Sequence, residues 1–234
     1  MKLSAVIAAY DEEKNIEALT RRLHAVLSER GEPWELIFII EGEDGTRAIV
    51  EELHRELGGE IRILYNAVPA GLGAAFRRGF AAVAHDAELV LTMDADLNHQ
   101  PEEIPRLLEG LRRSSADIVV GSRFVAGSEV TATPRWKRML SGTINAWMRV
   151  LFGLPVRDQT SGFRVYRADA LRTLSFRNDQ FAFLPEMIIR AHTTGLRIIE
   201  EPIHFIYRRE GASKMKFWAT SRSYLSLLKT RFFK

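Results

Sequence analysis

The stretch Leu89-Val90-Leu91-Thr92-Met93-Asp94-Ala95-Asp96-Leu97-Asn98-His99 decides how the rest of the chain is read. A short apolar run ends abruptly in two aspartates one residue apart. Such a run suits a strand buried in a parallel sheet, and residues just past the carboxyl end of such a strand face a ligand crevice. Two carboxylates placed there repel each other unless something positive lies between them. A hard divalent cation meets that need, because Mg²⁺ takes one or two carboxylates together with substrate phosphates. The same Asp-X-Asp pattern also occurs in turns and helix caps.

Working outward, residues 3–9, 34–40, 61–65, 88–93 and 117–120 read as strands. Between them lie helical stretches: from Asp11, as a cap, to about residue 30; then 46–57, 72–85 and 101–113, the last with Pro101 in its first turn. This alternation indicates an α/β fold with a mainly parallel sheet. After Arg123 it breaks down. Residues 125–134 read as a loop, and 135–152 as a helix with Trp136, Leu140, Trp147 and Leu151 on one face. Residues 154–166 read as irregular, 182–193 as a helix, 197–200 as a strand and 203–207 as extended. No internal repeat is visible.

The 234 residues, 46% hydrophobic, suffice for one domain, or one with a C-terminal appendage. Cysteine is absent, which excludes disulfides, thiolate metal sites and cysteine nucleophiles. Residues 1–10 are apolar, but Asp11-Glu12-Glu13-Lys14 follows at once, which reads as a first strand and a turn into a helix rather than a leader. No apolar run reaches the roughly 20 residues that span a bilayer. The net charge of +3 is unevenly spread, since residues 211–234 hold six basic side chains and no acidic one, leaving −3 on residues 1–210. Positive charge confined to a tail argues against a nucleic-acid-binding face.

The polar clusters at strand ends carry the chemistry. Gly71-Leu72-Gly73 follows the third strand and lacks a third glycine, so it is no dinucleotide fingerprint, and no P-loop pattern occurs anywhere. It is either a tight turn before a helix or a close backbone approach to a ligand. Arg123 follows a strand directly with a fork suited to phosphate, unless it is an ordinary surface arginine. Arg208-X-X-Gly211-X-Ser213-Lys214 joins a guanidinium, a glycine hinge, a hydroxyl and an ammonium in one loop. That loop either closes over a diphosphate or lies in solvent. The histidines lack zinc-protease spacing. His99, beside the aspartates, reads as supporting the site from behind or as solvated. Neither Ser122 nor Ser161 sits in a nucleophile elbow.

Taken in order, Ala8-Ala9-Tyr10-Asp11-Glu12-Glu13-X-Asn15-Ile16, Asp44-Gly45-Thr46, Gly71-Leu72-Gly73, Asp94-Ala95-Asp96-Leu97, Gly121-Ser122-Arg123, Ser161-Gly162-Phe163-Arg164 and the Arg208–Lys214 set resemble a family 2 glycosyltransferase. Within it they are most similar to the polyprenol-phosphate and dolichol-phosphate mannose synthases. The resemblance implies a GT-A fold: α/β, a mainly parallel central sheet with helices on both faces, and a C-terminal amphipathic helix. It implies a glycosyltransferase domain over 1–210, with a nucleotide-sugar half (1–123) and an acceptor half (124–210), followed by a basic tail over 211–234. It implies inverting transfer of a hexose, mannose from GDP-mannose, onto a polyprenyl phosphate. Ala8, Tyr10 and Glu12 would lie against the nucleoside, and Asp94, Asp96 and Asn98 would hold Mg²⁺ or Mn²⁺. Arg123, with Lys137 or Arg138, would bind the acceptor phosphate, and Arg208, Ser213 and Lys214 would clamp the donor diphosphate.

One departure bears on the donor. The family writes Asp-Asp-Gly-Ser-X-Asp-Gly-Thr where this chain has Ile40-Glu41-Gly42-Glu43-Asp44-Gly45-Thr46, so Glu41 replaces the base-reading aspartate. A UDP-sugar transferase, or a peripheral membrane-binding module with a degenerate site, are the alternatives. Asp94, Asp96, Arg123 and Asp158 are the candidate catalytic residues. A phosphate acceptor needs positioning more than deprotonation, so Asp158 is expected to orient a partner or sit near the metal rather than act as a base, and Glu186 either to share in the site or to be structural. In the tail, Phe217, Tyr224, Leu225, Leu228 and Phe232 share one helical face. That face suits either the protein's own core or an anionic lipid surface. The expected setting is therefore the cytoplasmic face of a membrane, held peripherally, with or without a membrane-anchoring partner protein.

Overall fold

The computed structural model describes residues 1–207 and Leu227. Eight-residue strands β1 (Leu3–Tyr10) and β2 (Trp34–Glu41) lie beside β3 (Ile61–Asn66) and β4 (Leu89–Asp94). Farther along come β5 (Ile118–Ser122), β6 (Glu129–Thr131), β7 (Arg164–Arg167), β8 (Ile198–Pro202) and β9 (His204–Ile206). Seven of them form one sheet in the order β3-β2-β1-β4-β7-β5-β8, and β6 pairs with β9 separately. Within the large sheet only β7 runs antiparallel to its neighbours.

The strands are apolar on both sides because helices cover both faces, as a parallel sheet requires. Alternate residues therefore point into two cores. Leu3, Ala5, Ile7, Phe38, Leu91 and Met93 meet α1 (Ile16–Glu29), α2 (Thr46–Leu57) and α4 (Ile104–Ser114) through Leu19, Leu23, Val50 and Leu107. Val6, Ile37, Ile39, Val90 and Val120 face the other way. They meet α3 (Leu72–Ala82), α6 (Ala168–Thr173) and α7 (Phe183–Thr193) through Phe76, Leu171, Phe183 and Met187. Each large side chain so buried is worth roughly 1.5–3 kcal/mol. Leu227 is buried in this second core. The rest of the expected amphipathic tail lies outside the described residues.

Several local expectations are corrected. Asp11 does not cap α1. The helix starts later, with Asn15 at its cap, and Asp11 occupies a turn at φ +50°. A single 3-10 turn, Pro101–Glu103, precedes α4, and α3 stops at Ala82 rather than 85. The stretch 154–166, read as irregular, enters β7, and the loop 125–134 contains β6. The predicted helix over 135–152 is α5 (Arg135–Phe152), but it buries only Asn145 and Met148. Trp136, Met139, Leu140, Trp147 and Val150 remain exposed, Val150 by 85%. No helix among the described residues is long and apolar enough to cross a membrane.

Candidate active site

Strand register gathers the predicted nucleoside and metal residues at one edge of the sheet. Ala8 lies opposite Asp94, and Tyr10 opposite Glu41. Beyond β4 the chain alternates, so that Asp94, Asp96 and Asn98 are partly open while Ala95, Leu97 and His99 are buried. Leu97 takes a left-handed φ of +59°, a costly conformation for a bulky residue, and the turn it makes folds Asn98 back onto Asp96. Asn98 donates its backbone N–H to Asp96 Oδ1 at 3.0 Å and its amide to Oδ2 at 2.5 Å.

Burial raises the Asp94 carboxyl to about 6, although the charges of Arg123 and Arg164 work against it. Burial and the neighbouring Asp94 raise Asp96 to about 7. Both carboxyls thus resist losing their protons, a penalty a cation between them would remove. Among the described residues no group of three or more histidine or acidic side chains could hold a metal ion, so the candidate donor set is two carboxylates and an amide. That set fits Mg²⁺ or Mn²⁺ completed by substrate phosphates, and would not fit a soft metal.

Gly162, from the Ser161-Gly162-Phe163-Arg164 motif, packs directly against Asp94. A Cβ there would stand 2.7 Å from Oδ1 and 2.9 Å from Oδ2, so a side chain at this position would displace the carboxylate. Its carbonyl accepts a hydrogen bond from Thr92 Oγ1 at 2.7 Å. The following Arg164 is wholly buried. Its guanidinium donates to the carbonyls of Gln159, Ser161 and Leu184 and to the Tyr166 hydroxyl, which pins the whole 159–164 segment. Gly162, Thr92 and Arg164 went unassigned on sequence; only the motif around Gly162 carried a signal.

Arg123 is neither a surface residue nor an isolated phosphate fork. Its backbone N–H, Nε and Nη2 all donate to Asp158, and Nη2 also reaches Thr160 Oγ1 at 2.8 Å. Burial works to raise the Asp158 carboxyl, but the charge and hydrogen bonds of Arg123 outweigh it and hold Asp158 below the usual carboxylate range. Asp158 thus has its oxygens committed to Arg123 and Thr160. Asn145 of α5 ties in through Thr160 and the Gln159 N–H, a link no sequence signal announced. Lys137 is turned toward Tyr207, donating to its hydroxyl and lying 4.6 Å from its ring centre, whereas Arg138 is exposed.

The remaining predicted residues are partly occupied by the protein itself. Glu41 is buried, and both its oxygens accept the Ala70 N–H. Glu12 receives the Asn15 amide at 2.7 Å. Asp44-Gly45-Thr46 locks onto the first loop, with Thr46 Oγ1 accepting the Glu12 N–H and Asp44 accepting the Glu13 N–H. Gly71 and Gly73 are needed for close approach, but of another loop: a Cβ on Gly73 would meet the Asn178 carbonyl at 2.1 Å. Glu186 holds that loop by accepting the Arg177 and Asn178 N–H groups, so its role is structural. Arg208, Ser213 and Lys214 lie outside the described residues.

His99 is buried to 2% and is not solvated. Its ring lies between Phe163 and Phe205, centroids 5.4 and 5.3 Å away. Burial, reinforced by Arg123, pushes the imidazole down to about 3, so it is neutral.

A parallel nucleotide-type sheet with an oxygen-rich aspartate pair at its open edge defines a glycosyltransferase of the GT-A kind. The chain belongs to glycosyl transferase family 2, whose model matches residues 4–175. It is 33% identical over 219 residues to an undecaprenyl-phosphate mannosyltransferase of Micrococcus luteus, covering 92% of this chain and 88% of that protein. It is likewise 33% identical to a polyprenol monophosphomannose synthase of Mycolicibacterium smegmatis, covering 90% of this chain and 79% of that one. In fold it is similar to the glucosyl-3-phosphoglycerate synthase of Mycobacterium tuberculosis crystallised with Mn²⁺, uridine diphosphate and phosphoglyceric acid. That match has a TM-score of 0.73 at 21% identity, over 98% of this chain and 78% of the other.

Proposed function

We propose that this protein transfers a mannosyl group from GDP-mannose to a polyprenyl phosphate, with inversion, using Mg²⁺ or Mn²⁺. The observation that carries the reading is the Asp94–Asp96 pair, set at the carboxyl end of the central strand β4 with both carboxyls raised, first of all by burial. The acceptor class rests on the activities named for the two mannosyltransferase relatives. Asp94 and Asp96, with the Asn98 amide, hold the cation, which when bound supplies positive charge against the departing diphosphate. Ala8, Tyr10, Glu12 and Glu41 form the nucleoside edge, and Arg208, Ser213 and Lys214 close over the diphosphate.

At the border of the acceptor half, which covers 124–210, Arg123 is presented by Asp158 and Thr160 to the incoming phosphate, with Lys137 or Arg138 adding charge. A phosphate monoester has a second pKa of about 6 and is mostly dianionic at neutral pH, so no protein base is required. Asp158, with its lone pairs committed to Arg123, serves as that arginine's positioning residue. The α5 face suits the lipid: Trp136, Met139, Trp147 and Val150 are exposed among Arg135, Lys137, Arg138 and Arg149, with no acidic residue in the helix. Aromatic and basic groups together favour an anionic interface. The protein then works peripherally at the cytoplasmic face of a membrane, with or without an anchoring partner, and the 211–234 tail adds a second contact.

The test is incubation with labelled GDP-mannose, UDP-glucose or UDP-N-acetylglucosamine, each with polyprenyl phosphate and Mg²⁺ or a chelator. Lipid-linked product from GDP-mannose alone, lost on chelation, is expected. Product from a UDP-sugar instead would transfer the assignment to a UDP donor. No product from any donor would leave a degenerate membrane-binding module.

A further inference from the structure

We propose that His99 is a positioning residue for the cation site: its ring donates Nδ1–H to Asp94 Oδ2 and fixes which face of that carboxylate is left for the metal. The proposal rests on the reading of Asp94 and Asp96 as cation ligands. Nδ1 stands 3.6 Å from Asp94 Oδ2, a few tenths of an ångström beyond a hydrogen bond. Neither ring nitrogen has a hydrogen-bond partner among the described residues, although the side chain is almost wholly buried. Buried polar atoms left unpaired are costly and rare in native proteins. A histidine packed between Phe163 and Phe205 would be replaced without loss by another apolar ring, unless its N–H serves a purpose.

The surroundings hold Nδ1 3.6 Å from Asp94 Oδ2. The ring is fixed in place: its backbone pairs with Phe205 in an antiparallel bridge, and Ile206 N–H donates to the Asn98 carbonyl at 3.0 Å. Gly162 confines the carboxylate from one side. A small rotation of Asp94 as it takes up a cation closes the gap to Nδ1. Partners of this kind, which hydrogen-bond a ligating carboxylate, orient it and raise metal affinity by 10–100-fold in known sites.

The full-length protein titrated with Mn²⁺ alone, with free Mn²⁺ followed by electron paramagnetic resonance, tests this. His99→Phe keeps the aromatic packing and removes the donor, so an affinity loss of about tenfold is expected without a change in fold. His99→Asn, whose amide N–H occupies the Nδ1 branch, recovers affinity to within about threefold of the wild type. Independently, the ¹⁵N signals of His99 report an Nδ1–H tautomer whose proton shifts downfield when Mg²⁺ is added. Wild-type Mn²⁺ affinity in His99→Phe, or an Nε2–H tautomer insensitive to Mg²⁺, overturns the role of His99 while leaving the cation site standing. Absence of Mn²⁺ binding by the wild type, both alone and with GDP or UDP supplying the phosphates, overturns the cation site, and the histidine's role with it.

Discussion

The two sides of the central sheet handle charge in opposite ways. On the β1–β4 side, like charges, Asp94 and Asp96, are brought together and buried, and the charges of Arg123 and Arg164 do not bring Asp94 back to its ordinary value. On the β5–β7 side, opposite charges, Arg123 and Asp158, are joined through three donors and reinforced by Thr160. The first arrangement is incomplete by itself and calls for a ligand. The second is complete and supplies rigidity, so that a guanidinium keeps one orientation in a pocket that would otherwise let it swing. A transferase needs both, one place where charge is to be added and another where direction is already set.

The largest expected effect comes from breaking the satisfied pair. Arg123→Ala would strand the Asp158 carboxylate, fully buried, and cost about 3–5 kcal/mol in urea unfolding at pH 7. The wild-type pair, with Asp158 held below its ordinary value, contributes fully above about pH 4 and fades only as pH falls below that. In Arg123→Ala the sign reverses, and the deficit should shrink on acidification because the stranded carboxylate takes a proton. Adding Asp158→Asn should restore much of the stability at pH 7. A deficit that stays constant from pH 5 to 8 would contradict the pairing argument.

A smaller effect sharpens the other side. Asp94 and Asp96 titrate near 6 and 7, above an unfolded value near 4, so the folded metal-free protein binds more protons through that window. Its stability must therefore fall as pH rises from about 4 to 7, and the full penalty persists above 7. With Asp94 one-third exposed and screened by water, the penalty amounts to about 1–2 kcal/mol at pH 8. Asp96→Asn should raise the metal-free melting temperature at pH 8 and match the wild type near pH 4. Equal melting temperatures at pH 8 would remove the repulsion from the account.

The smallest stability effect concerns α5. Val150→Glu, on a residue 85% exposed, should change stability by no more than about 0.5 kcal/mol. The same change should sharply reduce flotation with vesicles containing anionic lipid. Undiminished flotation would detach α5 from the lipid reading.

The sequence made one half of the sheet far more legible than the other, and the reason is burial. Runs such as Leu36-Ile37-Phe38-Ile39-Ile40 are apolar because helices cover both faces, and each run could be recognised without knowing its neighbours. β7 offered no such run. It is four residues long with arginine at both ends, and Arg164 can be buried because it donates to backbone carbonyls that no local pattern reveals. Strands β6 and β9, of three residues each, exist only through a pairing more than seventy positions apart. The aspartate pair was readable from its place after a strand. The commitment of Asp158 to Arg123 was not, because it spans thirty-five positions and depends on how the intervening helix folds back.

β7 enters the sheet between two parallel strands while running the other way, and its entry point touches the exit of β5: the Gly121 N–H donates to the Phe163 carbonyl at 2.9 Å. Everything between, including α5, leaves and rejoins the sheet at almost one spot. Such an excursion is a cassette with its two ends already clipped together. Its length can vary with little effect on strand order, provided the Asp158–Arg123 pair and the β6–β9 pairing are kept. Under the proposed function, a change of acceptor would be written in this insert, around a retained Arg123–Asp158 pair.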